Sequence, residues 1–276
     1  MNKLDVYDMI QRANKMKCPI RKYPQKIVVH YGDISSNSLV IFKAASIKLG
    51  CRTLTANIHT ESLEDSIQML QYYEDVLVVR HPSDDAIQRF NTISRIPVVQ
   101  GGIHANLAQA LTDIYTLYTE LLLRNIKLDS EDRTFLQVTF LGYSRSVNPF
   151  VKLLELFPKI EYHYIQKEKD IPSDTDVLYV SRIQESESYH IDQTYLQCTK
   201  PKLILMHPFP RSNELSHDAD HNPRSVYLKQ LDYGLYMRMA ILDKLLAPTC
   251  TPTFWEHIWI IWEYIKHWIV TFQLHR

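Results

Sequence analysis

Leu203-Ile-Leu-Met-His-Pro-Phe-Pro-Arg-Ser-Asn-Glu214 is the stretch on which the reading of the whole chain turns. Leu203 to Met206 is a short apolar run, the pattern of a buried strand. It stops at His207, where Pro208 and Pro210 fix the backbone and remove two N–H donors. An α/β protein presents its binding groups where strands end on such turns, at the carboxyl edge of the sheet. On spacing alone, a stiff structural loop fits this stretch equally well.

Outward from this turn, strand-like and helix-like runs alternate. Apolar or alternating runs at 26–31, 53–57, 75–82, 97–101, 135–141, 160–164 and 176–180 read as strands. Helical spacing marks 4–17 (Val6, Met9, Ile10, Ala13, Met16), 39–49 with Gly50 as its stop, and a segment opening at Thr60 and Glu61 that carries Ile67, Leu70 and Tyr73. It also marks 107–125, a segment bearing Val147, Phe150, Val151 and Leu154, and 226–246 with Tyr227, Leu231, Leu235, Met239 and Leu242 on one side. The fold class expected is α/β, with two domains, each a mostly parallel sheet flanked by helices. The polar stretch 128–132 suits the boundary between them.

Composition narrows the function classes. The chain has 276 residues, 45% hydrophobic and 22% charged, and a formal net charge of zero, which argues against electrostatic capture of nucleic acid. The 4 cysteines are widely spaced and form no metal or redox motif, so reduced thiols and a cytoplasmic location are expected. The first residues have no apolar core of a secretory signal. Only 6 glycines are present, and none builds a phosphate-cradling Gly-rich loop. His217-Asp218-Ala219-Asp220-His221 has metal-ligand chemistry without an established metal spacing, so no metal is expected there.

His207-Pro208-Phe209-Pro210-Arg211, with Glu214 following, resembles the His-Pro-Leu-Pro-Arg signature of aspartate carbamoyltransferase catalytic chains, in the aspartate/ornithine carbamoyltransferase family. The resemblance extends over roughly Asp5 to Leu246. It implies a cis Phe209–Pro210 peptide, main-chain carbonyls at Pro208 and Phe209 that hold carbamoyl and amino groups, no cofactor, and a trimeric assembly. It also implies a carbamoyl-phosphate-type domain at 1–124 and an aspartate-type domain at 130–228. A helix at 229–247 then crosses back to the first domain, and 248–276 is an extension.

The resemblance implies a divided site. Arg145, Arg182 and Gln184, with Pro210, match the residues that clamp the two carboxylates of aspartate, for which bidentate guanidiniums are suited. Arg80, closing a buried run and followed by His81-Pro82, matches the arginine that contacts the carbamoyl oxygen, and Gln109 is also kept. Elsewhere the family pattern fails. Ser35, Ser36, Asn37 and Ser38 stand on its Ser-Thr-Arg-Thr phosphate turn, so Asn37 replaces the arginine. Read without the family, these residues are equally a Ser-rich helix cap. Asn106 replaces the histidine that donates to the developing oxyanion, with His104 two residues early. His59 falls where the loop lysine is sought.

Three functions follow as expectations. The first is a pseudoenzyme of the pyrimidine-pathway family that keeps a dicarboxylate half-site, with aspartate as an example ligand, and assembles as a homotrimer or with an active relative. The second is an active enzyme that forms N-carbamoyl-aspartate. The third is an interaction protein working through residues 254–276, which hold all 4 tryptophans. That tail reads as a helix docking on its own protein or subunit, or lying at a membrane surface, rather than spanning a bilayer.

Overall fold

The computed structural model describes residues 1–18, 22–32, 36–57, 62–102, 106–129, 135–142, 147–183 and 189–247. Residues Met1–Leu246 form one compact unit. The expected tail helix, His59, His104, Ser35, Arg145 and Gln184 lie outside the described residues.

Two parallel sheets carry this unit. The first contains β1 (Ile27–Gly32), β2 (Arg52–Ala56), β3 (Val76–Arg80) and β4 (Val98–Gln100), in the order β2-β1-β3-β4. The second contains β5 (Leu136–Leu141), β6 (Ile160–Ile165), β7 (Val177–Val180) and β8 (Ile204–Met206), in the order β6-β5-β7-β8. The two sheets thus share one topology although the sequence shows no repeat. In each, the chain leaves the first strand toward one edge and returns to the other side of it. That reversal opens a crevice at the carboxyl ends of the first and third strands, where ligands of open α/β sheets bind.

The helices are α1 (Lys3–Lys15), α2 (Asn37–Lys48), α3 (Leu63–Leu70), α4 (Asp84–Ile93), α5 (Leu107–Leu123), α6 (Asn148–Leu154), α7 (Gln193–Gln197) and α8 (Tyr227–Leu246). Local chemistry sets several starts. Asn2 and Asp5 form a reciprocal capping box on α1, and Ser36, Ser62 and Ser83 accept from the first-turn amides of α2, α3 and α4. Gly50, at φ +84°, ends the turn after α2 in the left-handed region, as its position after the helix predicts.

One continuous core joins the two sheets. It runs from Val6, Ile10 and Phe42 through Leu111, Ile114 and Tyr115 of α5 and Met237 and Leu242 of α8 to Phe140, Tyr179 and Met206. Helices α5 and α8 therefore pack between the sheets and against each other, the arrangement expected of a returning C-terminal helix. Two face assignments need correction. Leu231 is 46% exposed, because α8 buries Gln230, Gly234 and Arg238 in a polar seam against α5 instead. Tyr73 is 63% exposed, since α3 stops at Leu70 and the chain turns outward. The α5 helix also ends at Leu123, two residues earlier than its pattern suggests; Asn125 follows at φ +58°. No helix among the described residues is long and apolar enough to cross a membrane.

Candidate functional site

In the first sheet, Gly32 at the end of β1 lies in register with Arg80 at the end of β3. The start of α2 follows the carboxyl end of β1, where Ser36 caps the helix and Asn37 is its exposed first residue. Ser38 points its hydroxyl inward, buried and without a hydrogen-bond partner. The Arg80 Nη1 donates to the Gly102 carbonyl at 2.8 Å, while its Nε is buried and unpartnered.

Gly102 sits at φ +90°, and a Cβ there would lie 2.7 Å from Asn106 Nδ2 and 3.4 Å from Ser38 Oγ. Only glycine lets these three segments close on one another. Asn106 caps α5 by accepting from the Gln109 amide at 3.0 Å. Sequence-distant residues Ser36, Asn37, Ser38, Arg80, Asn106 and Gln109 therefore share one sheet edge. Across segments 36–38, 80, 102 and 106–109, Arg80 is the single cation among the described residues.

The second sheet supplies the opposite wall. Arg182 follows β7, the topological counterpart of β3, and its Nη2 donates to the carbonyls of Pro208 at 3.1 Å and Phe209 at 2.5 Å. The turn after β8 thus aims two carbonyl oxygens into the crevice, and the Phe209–Pro210 peptide is cis. Partial burial lowers the Arg182 pKa, and the Arg80 charge pushes it the same way, so the two guanidiniums share one electrostatic field. Of the residues expected at the site, eight of the described ones line these two walls: Ser38, Arg80, Asn106, Gln109, Arg182, Pro208, Phe209 and Pro210, with Ser36 and Asn37 at the rim.

Below the turn lies a buried pair. Neither side chain of His207 nor Glu214 has solvent exposure, and the His207 Nε2 lies 2.8 Å from Glu214 Oε1. Burial lowers the His207 pKa, so its imidazole is neutral at pH 7 and Nε2 donates to the carboxylate. Glu214 opposes its own burial penalty with hydrogen bonds from His207 and the Ser212 amide, and its pKa falls to about 2. These bonds hold the turn closed between His207 and Glu214, seven positions apart. At the far side, Arg211 pairs with Asp220 at 2.5 Å in the 217–221 segment, a 3-10 helix. Among the described residues no cluster of three or more acidic, His or Cys side chains suits a metal ion.

Residues 2–119 match the family model described as the aspartate/ornithine carbamoyltransferase carbamoyl-P binding domain, and residues 160–245 match its Asp/Orn binding domain. The chain belongs to the aspartate/ornithine carbamoyltransferase family. Its relatives include the aspartate carbamoyltransferase catalytic subunits of Methanocaldococcus jannaschii, 29% identical across 89% of this chain and 95% of the relative, and of Sulfurisphaera tokodaii, 29% identical across 89% and 96%. The solved catalytic subunit of M. jannaschii aspartate transcarbamoylase superposes with a TM-score of 0.78 at 28% identity, covering 90% of this chain and 96% of that one. The Trypanosoma cruzi enzyme in complex with N-(phosphonacetyl)-L-aspartic acid gives 0.75 at 28%, covering 90% and 94%. The T. cruzi enzyme has also been solved with aspartate and phosphate, at 0.75 and 27%, covering 90% and 92%.

The family's overall plan was legible in the motif at 207–211. The buried polar seam behind the site is not: Asp113, with Leu111, marks the register of the motif at 106–113, but its bonds to Tyr179 and Gln230 appear only in the structure.

Proposed function

We propose that this protein is an aspartate carbamoyltransferase homologue that retains a dicarboxylate half-site and has lost carbamoyl phosphate binding and carbamoyl transfer. One observation carries the reading. The anion-binding edge of the first sheet offers hydroxyls, amides and helix N–H groups, but Arg80 is its only cation among the described residues, and one arm of that guanidinium is committed to Gly102. A phosphate dianion needs charged, bidentate partners to compete with water. Asn37 at the start of α2 supplies none.

The same deficit reaches the chemistry. Carbamoyl transfer develops negative charge on the carbamoyl oxygen, and removing one donor to such an oxyanion costs on the order of 10²–10³ in rate. Asn106 spends its side-chain oxygen on capping α5, and its amide lies over Gly102. In this reading Arg80 and Gln109 remain as the catalytic-type residues and Asn106 as a degenerate one. Ser35, Ser36, Asn37 and Ser38, with Pro208 and Phe209, are the remnant of the carbamoyl-phosphate-type site. Arg145, Arg182, Gln184 and Pro210 hold the dicarboxylate. Arg182 supports that assignment: among the described residues its guanidinium is bound only to the two neutral turn carbonyls, weaker acceptors than a carboxylate.

The same reading assigns 1–124 with 229–247 to the carbamoyl-phosphate-type domain, 130–228 to the aspartate-type domain and 248–276 to an extension. It makes the assembly a trimer of this chain, or a mixed oligomer with an active relative. Exposed Val40, Ile47 and Leu54, on α2 and the edge strand β2, support an oligomer.

The test is carbamoyl-aspartate formation from carbamoyl phosphate and aspartate by the purified full chain. The reading expects no product above the uncatalysed background. Turnover of 1 s⁻¹ or more, within the ordinary range of enzymes at about 1–10³ s⁻¹, would replace it with the active-enzyme reading.

A further inference from the structure

A closed polar cluster lies behind both walls of the site. Asp113, on the first half of α5, is 2% exposed. Its Oδ1 accepts from Gln109 Nε2 at 2.8 Å and from Gln230 Nε2 at 2.6 Å, and its Oδ2 accepts from the Tyr179 hydroxyl at 3.0 Å. Gln230 in turn accepts from the His207 amide at 3.3 Å. A chain of hydrogen bonds thus runs from Gln109 on the first wall, through Asp113 and Gln230, to the backbone of the turn on the second. Tyr179 adds a branch to β7, three residues before Arg182.

We propose that Asp113 is the positioning residue that holds the two walls of the site in register. The inference rests on the reading that the crevice between the walls is the ligand site, but its contacts are all internal and can be tested without a ligand. The geometry suits a carboxylate at this point. Three donors converge on its two oxygens, from three different elements, and none of the three asks it to donate. An amide or a protonated acid at the same place must turn a hydrogen toward one of those donors. At least one arm then loses its bond, and the freed group is buried, where an unmet hydrogen bond is costly.

Every element packed against Asp113 contributes to its environment. From α5 come Gln109 and Thr112, whose hydroxyl is spent on the Ala108 carbonyl. From β7 comes Tyr179. From α8 come Gln230 and Arg238, a fully buried guanidinium whose Nη1 donates to the Gly234 carbonyl and whose Nε has no partner. Beyond Gln230 stand His207 and Glu214. Burial raises the Asp113 pKa to about 7, while the three hydrogen bonds and the Arg238 charge pull it down.

Amide hydrogen exchange on the full chain, with Asp113→Asn against the wild type, tests the proposal. Segments 106–109 and 207–216 are expected to exchange about tenfold faster in the variant, the change that loss of one buried charge-assisted hydrogen bond brings, while β1 and β5 keep their protection. A second variant, Gln230→Ala, removes the whole arm from Asp113 through Gln230 to the His207 amide and leaves the Gln109 and Tyr179 bonds to Asp113 in place. It should accelerate 207–216 and leave 106–109 unchanged. Uniform acceleration across all segments would mark Asp113 as a general stability residue and overturn the proposal, as would no change in either segment. If Asp113→Asn does not fold, Gln230→Ala alone decides, by whether its effect is confined to 207–216. Succinate titration of the wild type separates the two claims. Absence of succinate binding counts against the dicarboxylate half-site, whereas the exchange pattern bears on Asp113 whatever succinate does.

Discussion

If the proposed reading holds, adding one charge at the start of α2 should raise phosphate affinity. Asn37 is the exposed first residue of α2, beside the Ser36 cap, so an arginine there meets no packing obstacle. A guanidinium about 4 Å from a phosphate oxygen gains roughly 1 kcal/mol at the dielectric of water and about 4 kcal/mol at an effective value of 20. Hydrogen bonds to charged groups are worth about 1.5–3 kcal/mol net, which falls within that bracket. Against this, a cation in the first turn of a helix opposes the helix dipole by about 0.3–1 kcal/mol. The net of about 0.5–2.7 kcal/mol corresponds to a gain of roughly 2- to 90-fold in affinity. Isothermal titration of Asn37→Arg with inorganic phosphate and with carbamoyl phosphate measures it, with Asn37→Gln as the uncharged control. A wild type that already binds carbamoyl phosphate as tightly as Asn37→Arg would refute the reasoning, because the missing charge would then have a replacement.

Three further outcomes are expected. Arg182→Ala should weaken succinate binding at least about tenfold, as loss of a bidentate partner does, while the melting temperature stays close to that of the wild type; equal affinity would exclude Arg182 from the site. Glu74 is buried with neither carboxylate oxygen paired, and burial raises its pKa to about 8. Between its ordinary value of 4.5 and about 8 the folded state keeps a proton that the unfolded state releases, so this residue lowers stability as pH rises through that window. Glu74→Gln should therefore gain on the order of 2 kcal/mol in urea unfolding at pH 8.5 and little at pH 4; a loss at both would contradict the assignment. Glu214 has the opposite sign: its pKa is depressed to about 2, so its contribution is present above 4.5 and is lost as pH falls through 2. Glu214→Gln should cost on the order of 2 kcal/mol at pH 7 and flatten the acid limb of the stability curve, read by urea unfolding between pH 2 and 7.

Much of this architecture could be read before any coordinates, for physical reasons that differ between elements. Strands β1, β3, β5 and β7 are buried on both faces, so β3 and β7 appear as near-continuous apolar runs and β1 and β5 as apolar runs broken only by His30 or by Gln137 and Thr139. The turn at 207–210 announces itself by two prolines and a histidine. Helix α4 is hidden in the sequence, because its buried side is reduced to Ala86, Ile87 and Phe90 among polar residues and its boundary at Ser83 resembles a loop. Periodicity puts Leu231 on the buried side of α8 because it counts apolar residues, whereas that helix packs Gln230, Gly234 and Arg238 against α5.

The site divided in the same way. Arg80, Asn106 and Arg182 could be located by motif, since each stands at the end of a strand or the start of a helix. The cluster around Asp113 could not. Its members are separated by 66 and 117 positions, and only the shared topology of the two sheets brings them together. The closeness of Gly102 to Asn106 and Ser38 likewise emerges only when three loops meet at one sheet edge.

The central claim is that one half of the site survives and the other does not. Calorimetric titration of the purified full chain with succinate and, separately, with carbamoyl phosphate tests it most directly. The account predicts saturable succinate binding and no saturable carbamoyl phosphate binding. Saturable binding of carbamoyl phosphate by the wild type would contradict it.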